Sequence, residues 1–126
     1  MLYAVLCYHD EAEVTSWTKA QDDAFLAKRA VVMQKVAATG KLGPVARLMP
    51  TSAATTVRMG REPVVIDGPF AETKEQLLGF YIIDCATLED AIAFVRELGH
   101  GETGGFEIRP LRILLPGKPL SLGSPA

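Results

Sequence analysis

The amino-acid sequence predicts an α+β fold in the order β-α-β-β-α-β, with an extra hairpin strand in the middle. Three observations carry that expectation. Residues 2–8 and 77–85 are apolar runs of strand length, two stretches at about 16–39 and 87–98 space their apolar residues helically, and Gly and Pro punctuate the rest. A chain of 126 residues accommodates one compact domain and leaves no room for two.

Residues 2–8 end in the charged stretch 9–13, and their length favours a central strand over a helix. In the first helix Phe25, Leu26, Ala30, Val32, Met33, Val36 and Ala37 fall on one arc, with Thr15 or Ser16 as its cap and Gly40 as its stop. Arg29 sits inside that apolar arc, with Asp22 two turns earlier on the same side. Gly43-Pro44 suits a bent or edge strand entering residues 45–49. Residues 54–59 and 63–66 read as a hairpin around Gly60-Arg61-Glu62, and Asp67-Gly68-Pro69 as a turn. Tyr81, Ile82 and Ile83 give residues 77–85 strand character. Thr87 caps a second helix whose buried stripe is Leu88, Ala91, Ile92, Val95 and Leu98, and Gly99 ends it. A glycine-rich loop over 100–105 leads to a last strand at 106–114. The domain is expected over 1–115, and residues 116–126, rich in Pro, Gly and Ser, as a loose tail or a segment ordered only by a partner chain. Two helices cover one face of such a sheet, so a homodimer pairing the other faces is expected.

Apolar types make up 48% of the chain and charged types 22%, enough to bury a core. Thirteen Lys and Arg against fifteen Asp and Glu leave a net charge of -2, which is not the footprint of a nucleic-acid binder. Cys7 and Cys85 lie in apolar runs rather than in a C-x-x-C pair, which predicts buried thiols and a cytoplasmic protein. The apolar start is short, lacks a basic region and runs into His9-Asp10-Glu11, so neither a signal peptide nor a membrane span is expected. Gly99, Gly101, Gly104 and Gly105 do not follow a strand and open a helix, which excludes dinucleotide binding, and no structural zinc spacing exists; no cofactor is expected.

The stretch Val65-Ile66-Asp67-Gly68-Pro69-Phe70-Ala71-Glu72-Thr73-Lys74-Glu75-Gln76-Leu77-Leu78-Gly79-Phe80-Tyr81-Ile82-Ile83-Asp84 resembles the YCII-related family, in particular its subgroup with the Asp-Gly-Pro-Phe (DGPF) motif. Met1-Leu2-Tyr3, Gly40-Lys41-Leu42, the helix after Cys85 and Glu107-Ile108-Arg109-Pro110-Leu111 extend the likeness over residues 1–114. The resemblance implies a ferredoxin-like subunit that dimerises into an α+β barrel. It implies no general reaction for the subgroup, and for some members a regulatory link to sigma factors. In YCII proteins proper a His of the first helix, working with an Asp, is the proposed acid-base centre. Counted back from Gly40, Arg29 takes the place of that His. An arginine stays protonated at ordinary pH, so the His-Asp scheme does not carry over to this chain.

The residues leave an enzyme and a non-catalytic regulatory or docking module both open. As an enzyme, the chain would bind a small anionic organic molecule for proton-transfer, lyase or hydrolytic chemistry. Arg29 would clamp the anion, with Tyr8 and Lys74 as further ligand contacts. The structural alternative for Arg29 is an ion pair with Asp22, Glu72 or Glu75. His9, Asp67 and Glu72 are the proton-handling candidates, His9 because it stands at a strand end where Asp10 could orient its ring. The plainer reading makes Asp67 a turn former, Lys74 a solvated loop residue and His100 a helix C-cap. Trp17, opposite the apolar arc, reads either as a contact for a dimer mate or ligand mouth or as an exposed residue packed on a loop.

Overall fold

The computed structural model describes residues 1–122. Six strands and three helices follow in the order β1 (Leu2–His9), α1 (Glu11–Thr15), α2 (Lys19–Ala38), β2 (Leu42–Arg47), β3 (Thr55–Arg58), β4 (Val64–Asp67), β5 (Gln76–Asp84), α3 (Leu88–Leu98) and β6 (Gly105–Pro110). The four-stranded sheet has the order β2-β5-β1-β6 with every neighbouring pair antiparallel. That α+β arrangement is compatible with a ferredoxin-like fold. The hairpin read at residues 54–59 and 63–66 forms as β3 and β4, which pair only with each other and stand apart from the four-stranded sheet as a two-stranded arm. Both strands are short, and their side chains are almost all exposed, so nothing in the subunit buries them.

The first helix also starts later than expected. Asp10 caps α1 by accepting from the Ala12 N–H, which turns the polar stretch after β1 into a short helix of its own. Thr18, rather than Thr15 or Ser16, caps α2 and forms a capping box with Gln21. The second long helix matches its expected span, with Thr87 capping through the Asp90 N–H. The last strand ends at Pro110, and residues 111–122 form neither helix nor strand. The final four residues of the expected tail, 123–126, lie outside the described residues.

Strand alternation sends Tyr3, Val5 and Cys7 of β1 toward the helices, where they meet Tyr81 and Ile83 of β5, Val32 of α2, and Ala91, Phe94 and Leu98 of α3. Val5, Ile83 and Leu98 are fully buried at its centre. Both cysteines are free thiols, Cys7 buried and Cys85 half-buried. Among the described residues no helix is long and apolar enough to cross a membrane.

Two irregularities interrupt the sheet. The register between β1 and β5 shifts at Cys7/Tyr8, at the end nearest α1, and that between β2 and β5 shifts between Leu42 and Val45, toward the opposite end. A bulge re-aims the side chains beside it. Gly79 lets β2 approach, since a Cβ there would lie 2.4 Å from the Ala46 carbonyl oxygen. Gly79→Ala is therefore expected to lower stability by about 1–3 kcal/mol in urea unfolding, as overpacking does. Gly60→Ala, whose Cβ would enter open space, should stay within about 0.5 kcal/mol.

Candidate ligand cavity

A cavity of about 130 Å³ lies between α2 and the helix-facing side of the sheet, at the end where the register between β1 and β5 shifts. For scale, an apolar cavity of roughly 150 Å³ takes up benzene. Phe25, Leu26 and Met33 of α2 and Val45, Leu78 and Phe106 of the strands supply its apolar wall. The bulge accounts for an otherwise odd feature, that the consecutive residues Cys7, Tyr8 and His9 all line it.

Arg29 forms the polar floor. Its side chain is 11% exposed and that of Glu102 10%. Nη2 donates to Glu102 Oε1 at 2.7 Å and Nε to Oε2 at 3.3 Å, a two-pronged pair. Nη1 donates to the Tyr81 hydroxyl at 3.2 Å and lies 3.8 Å from Cys7 Sγ. The guanidinium carbon sits 4.5 Å from the Phe25 ring centre and 5.1 Å from that of Phe106. Burial pulls the Arg29 pKa down, but the hydrogen bonds to Glu102 and Tyr81 outweigh it, and the group is held protonated more firmly than a free arginine. Burial pushes the Cys7 thiol and the Tyr81 phenol up, against the opposing pull of Arg29. Both stay neutral in the fold at ordinary pH.

The partner of Arg29 is thus Glu102, and not Asp22, Glu72 or Glu75. Asp22 turns instead to Arg47, with contacts of 2.7 and 3.2 Å. The Arg47 hydrogen bond holds the Asp22 carboxyl below the ordinary carboxylate range. Glu102 reaches Arg29 because the loop after α3 folds back on β1. Gly101 and Gly104 adopt left-handed φ values of 79° and 88°. At Gly104 a Cβ would stand 2.5 Å from the Tyr8 carbonyl oxygen and 2.9 Å from the His9 ring. Lys28 ties the same loop down through the His100 carbonyl and Glu102.

That loop also fixes His9. Its Nδ1 lies 3.2 Å from the Asp10 carbonyl, an acceptor that a proton on Nδ1 would meet. Nε2 lies 3.0 Å from the Thr103 hydroxyl, which can donate to it or accept from it. The orienting group is the Asp10 backbone and not its carboxylate, which is occupied in capping α1. Trp17 is neither isolated nor fully exposed: it packs on Phe25 at 5.0 Å between ring centres and on the edge of His9 at 6.0 Å.

Of the residues expected at a site, the structure brings Tyr8, His9 and Arg29 together on this cavity. It does not bring Asp67, Glu72 or Lys74 there. Asp67 is the exposed last residue of β4, and Glu72 and Lys74 are exposed in the loop that follows. Tyr81, Glu102 and Thr103 escaped the sequence reading as site residues. Glu102 and Thr103 carried one signal, their place between glycines in a loop otherwise poor in anchors.

The YCII-related domain matches residues 1–114. The chain belongs to the YCII-related family. An uncharacterized protein of Rhizobium meliloti (strain 1021) is 53% identical to it over 121 residues, covering 94% of this chain and 98% of the relative. In this YCII-related chain the cavity floor, and not the run from Asp67 to Lys74, holds the least exposed ion pair among the described residues, Arg29 with Glu102.

Two outcomes follow from the cavity floor. Arg29→Met or Glu102→Leu alone should each cost about 3–5 kcal/mol in chemical denaturation, because each strands a buried charge. The double variant should cost clearly less than the sum of the two. Cys7 and Tyr81 have raised values in the fold, so their stabilising effect is complete below their unfolded values of 9.0 and 10.0 and is lost as pH climbs above them. Stability measured from pH 8 upward should therefore fall, and Cys7→Ala should remove part of that slope.

Proposed function

We propose that this YCII-related protein is a homodimer in which each subunit binds a small, ring-sized organic molecule in the cavity, with His9 as the group that moves a proton. The observation that carries this reading is the His9 imidazole on a small aromatic-walled cavity, its Nε2 3.0 Å from the Thr103 hydroxyl, which also lines the cavity and can pass a proton between ring and ligand. Removal of a proton from a ligand carbon by an imidazole, directly or through a hydroxyl, is the kind of step a lyase or tautomerase uses. The ligand expected from the sequence is anionic because Arg29 is cationic. Glu102 already answers that charge, so the surroundings favour a ligand whose negative charge develops inside the cavity.

Dimerisation draws support from the surface. The helices and core lie on one side of the sheet, while the alternate residues Leu6 and Phe80 are only half-buried on the other. The hairpin arm adds Val57, Val65 and Phe70, the last 69% exposed. A second copy over these surfaces would close an α+β barrel. The Asp67-Gly68-Pro69-Phe70 run supports the narrower placement in the DGPF subgroup. The family match ending at residue 114 fits a domain over 1–115 with a tail behind it, and two free thiols fit a cytoplasmic setting. The exposed arm also favours the rival reading, a docking module of the kind a sigma-factor link implies.

The test uses ring-sized ketones and phenols in deuterated water, with binding followed by the NMR shifts of Cys7 and Leu78. Deuterium should enter the ligand faster with protein than without, and His9→Gln should slow it about 10²–10⁴-fold while binding persists. Light scattering should give the mass of two copies. Binding without exchange would remove the catalytic half of the reading. Absence of any cavity shift would remove all of it in favour of docking.

A further inference from the structure

We infer that the Tyr81 hydroxyl is the cavity's hydrogen-bond donor for a neutral carbonyl or hydroxyl oxygen, and that Glu102 makes the cavity select neutral ring molecules over carboxylates. The inference rests on the cavity reading above and names the ligand class it takes.

Tyr81 lies on β5 with its ring buried and held edge-on to Phe94, 6.0 Å between centres. Its hydroxyl accepts from Arg29 Nη1 at 3.2 Å. A phenol has one hydrogen to give as well as lone pairs to offer. Among the described residues no hydrogen bond takes that hydrogen, and Tyr81 lines the cavity. A hydroxyl that accepts from a guanidinium becomes a better donor, because hydrogen bonds in a chain polarise one another. The natural complement is an uncharged oxygen.

Arg29 by itself would argue for a carboxylate. Its Nε and Nη2 are both committed to Glu102, and the Phe25 and Phe106 rings crowd the guanidinium. On the cavity side the Arg29 charge is matched by Glu102; Lys28, which shares Glu102 Oε2 at 3.5 Å, is 41% exposed to solvent and does not line the cavity. A carboxylate entering this small cavity would shed its hydration without meeting an unpaired positive charge, which is unfavourable. The second arginine on the cavity, Arg47, is likewise matched by Asp22. Both cationic side chains of the wall therefore arrive with their own counter-charge.

Cyclohexanone and cyclohexanecarboxylate, titrated against the intact protein and followed by the shifts of cavity residues, separate the alternatives. Cyclohexanone should bind the native chain at least about tenfold more tightly. Tyr81→Phe should weaken the ketone roughly fivefold, the worth of one hydrogen bond, and leave the carboxylate unchanged. Glu102→Gln should narrow or invert the preference by unmasking Arg29. Equal or tighter binding of the carboxylate by the native chain would overturn the inference, as would a Tyr81→Phe variant that holds the ketone as before. If Glu102→Gln does not fold, the native preference and Tyr81→Phe decide between the same outcomes. If neither probe shifts any cavity residue, the cavity reading falls and this inference with it, whereas binding of both without discrimination defeats only the inference.

Discussion

The contact between Arg29 and Glu102 constrains everything around the cavity. A guanidinium taken out of water incurs a desolvation cost of several kcal/mol, which only a close counter-charge with further hydrogen bonds can offset. Here α2 supplies the cation, the loop after α3 the carboxylate and β5 the phenol. Three elements distant in sequence are therefore tied at one point. The aromatic rings of Phe25 and Phe106 cover the guanidinium and replace part of the lost hydration by cation-π contact. Without Glu102 the same burial would leave a charge with no answer inside the fold.

The geometry that permits the contact is set by backbone and not by charge. Gly99 ends α3 so close to β6 that a Cβ would stand 2.5 Å from the Phe106 ring. Gly101 and Gly104 then bend the chain through left-handed conformations, and Gly104 lays it against Tyr8 and His9. Side chains at Gly99 and Gly104 would hold the loop off the strands, and one at Gly101 would strain its left-handed turn. Glu102 would then miss Arg29, and Thr103 would miss His9. One loop thus supplies the counter-charge at the floor of the cavity and a hydroxyl partner for His9.

The elements most legible in the sequence were those with strong local chemistry. The helix Leu88–Leu98 could be bounded because Thr87 and Gly99 mark its ends and its apolar stripe is clean. The sheet strands followed from their apolar runs. The start of α2 was misplaced because Asp10, Thr15, Ser16 and Thr18 are all competent caps, and only the fold chooses among them. The hairpin was legible as a hairpin, while its separation from the sheet was not, since pairing across a long connection leaves no local trace. Arg29 stood out as a charge on an apolar arc. Its partner did not, because 73 residues separate it from Glu102 and sequence proximity pointed to Asp22. Asp67, Glu72 and Lys74 attracted notice through a dense motif, yet density of charge in a loop is what solvent exposure alone produces.

Arg29 puts a permanent charge on the cavity floor, and that has a structural consequence. A permanently charged group cannot shuttle protons, so any proton chemistry at this cavity needs another residue. Tyr81 and Cys7 are pushed further into their neutral forms by burial, which makes them poor bases. Glu102 and Asp22 are held as counter-ions by the two arginines. Among the residues that line the cavity, His9 is then the remaining candidate, its ring placed by the Asp10 carbonyl at Nδ1 and the Thr103 hydroxyl at Nε2. Arg29 on the helix and His9 at the strand end are two parts of one arrangement: the helix contributes a fixed charge, and the strand contributes the imidazole.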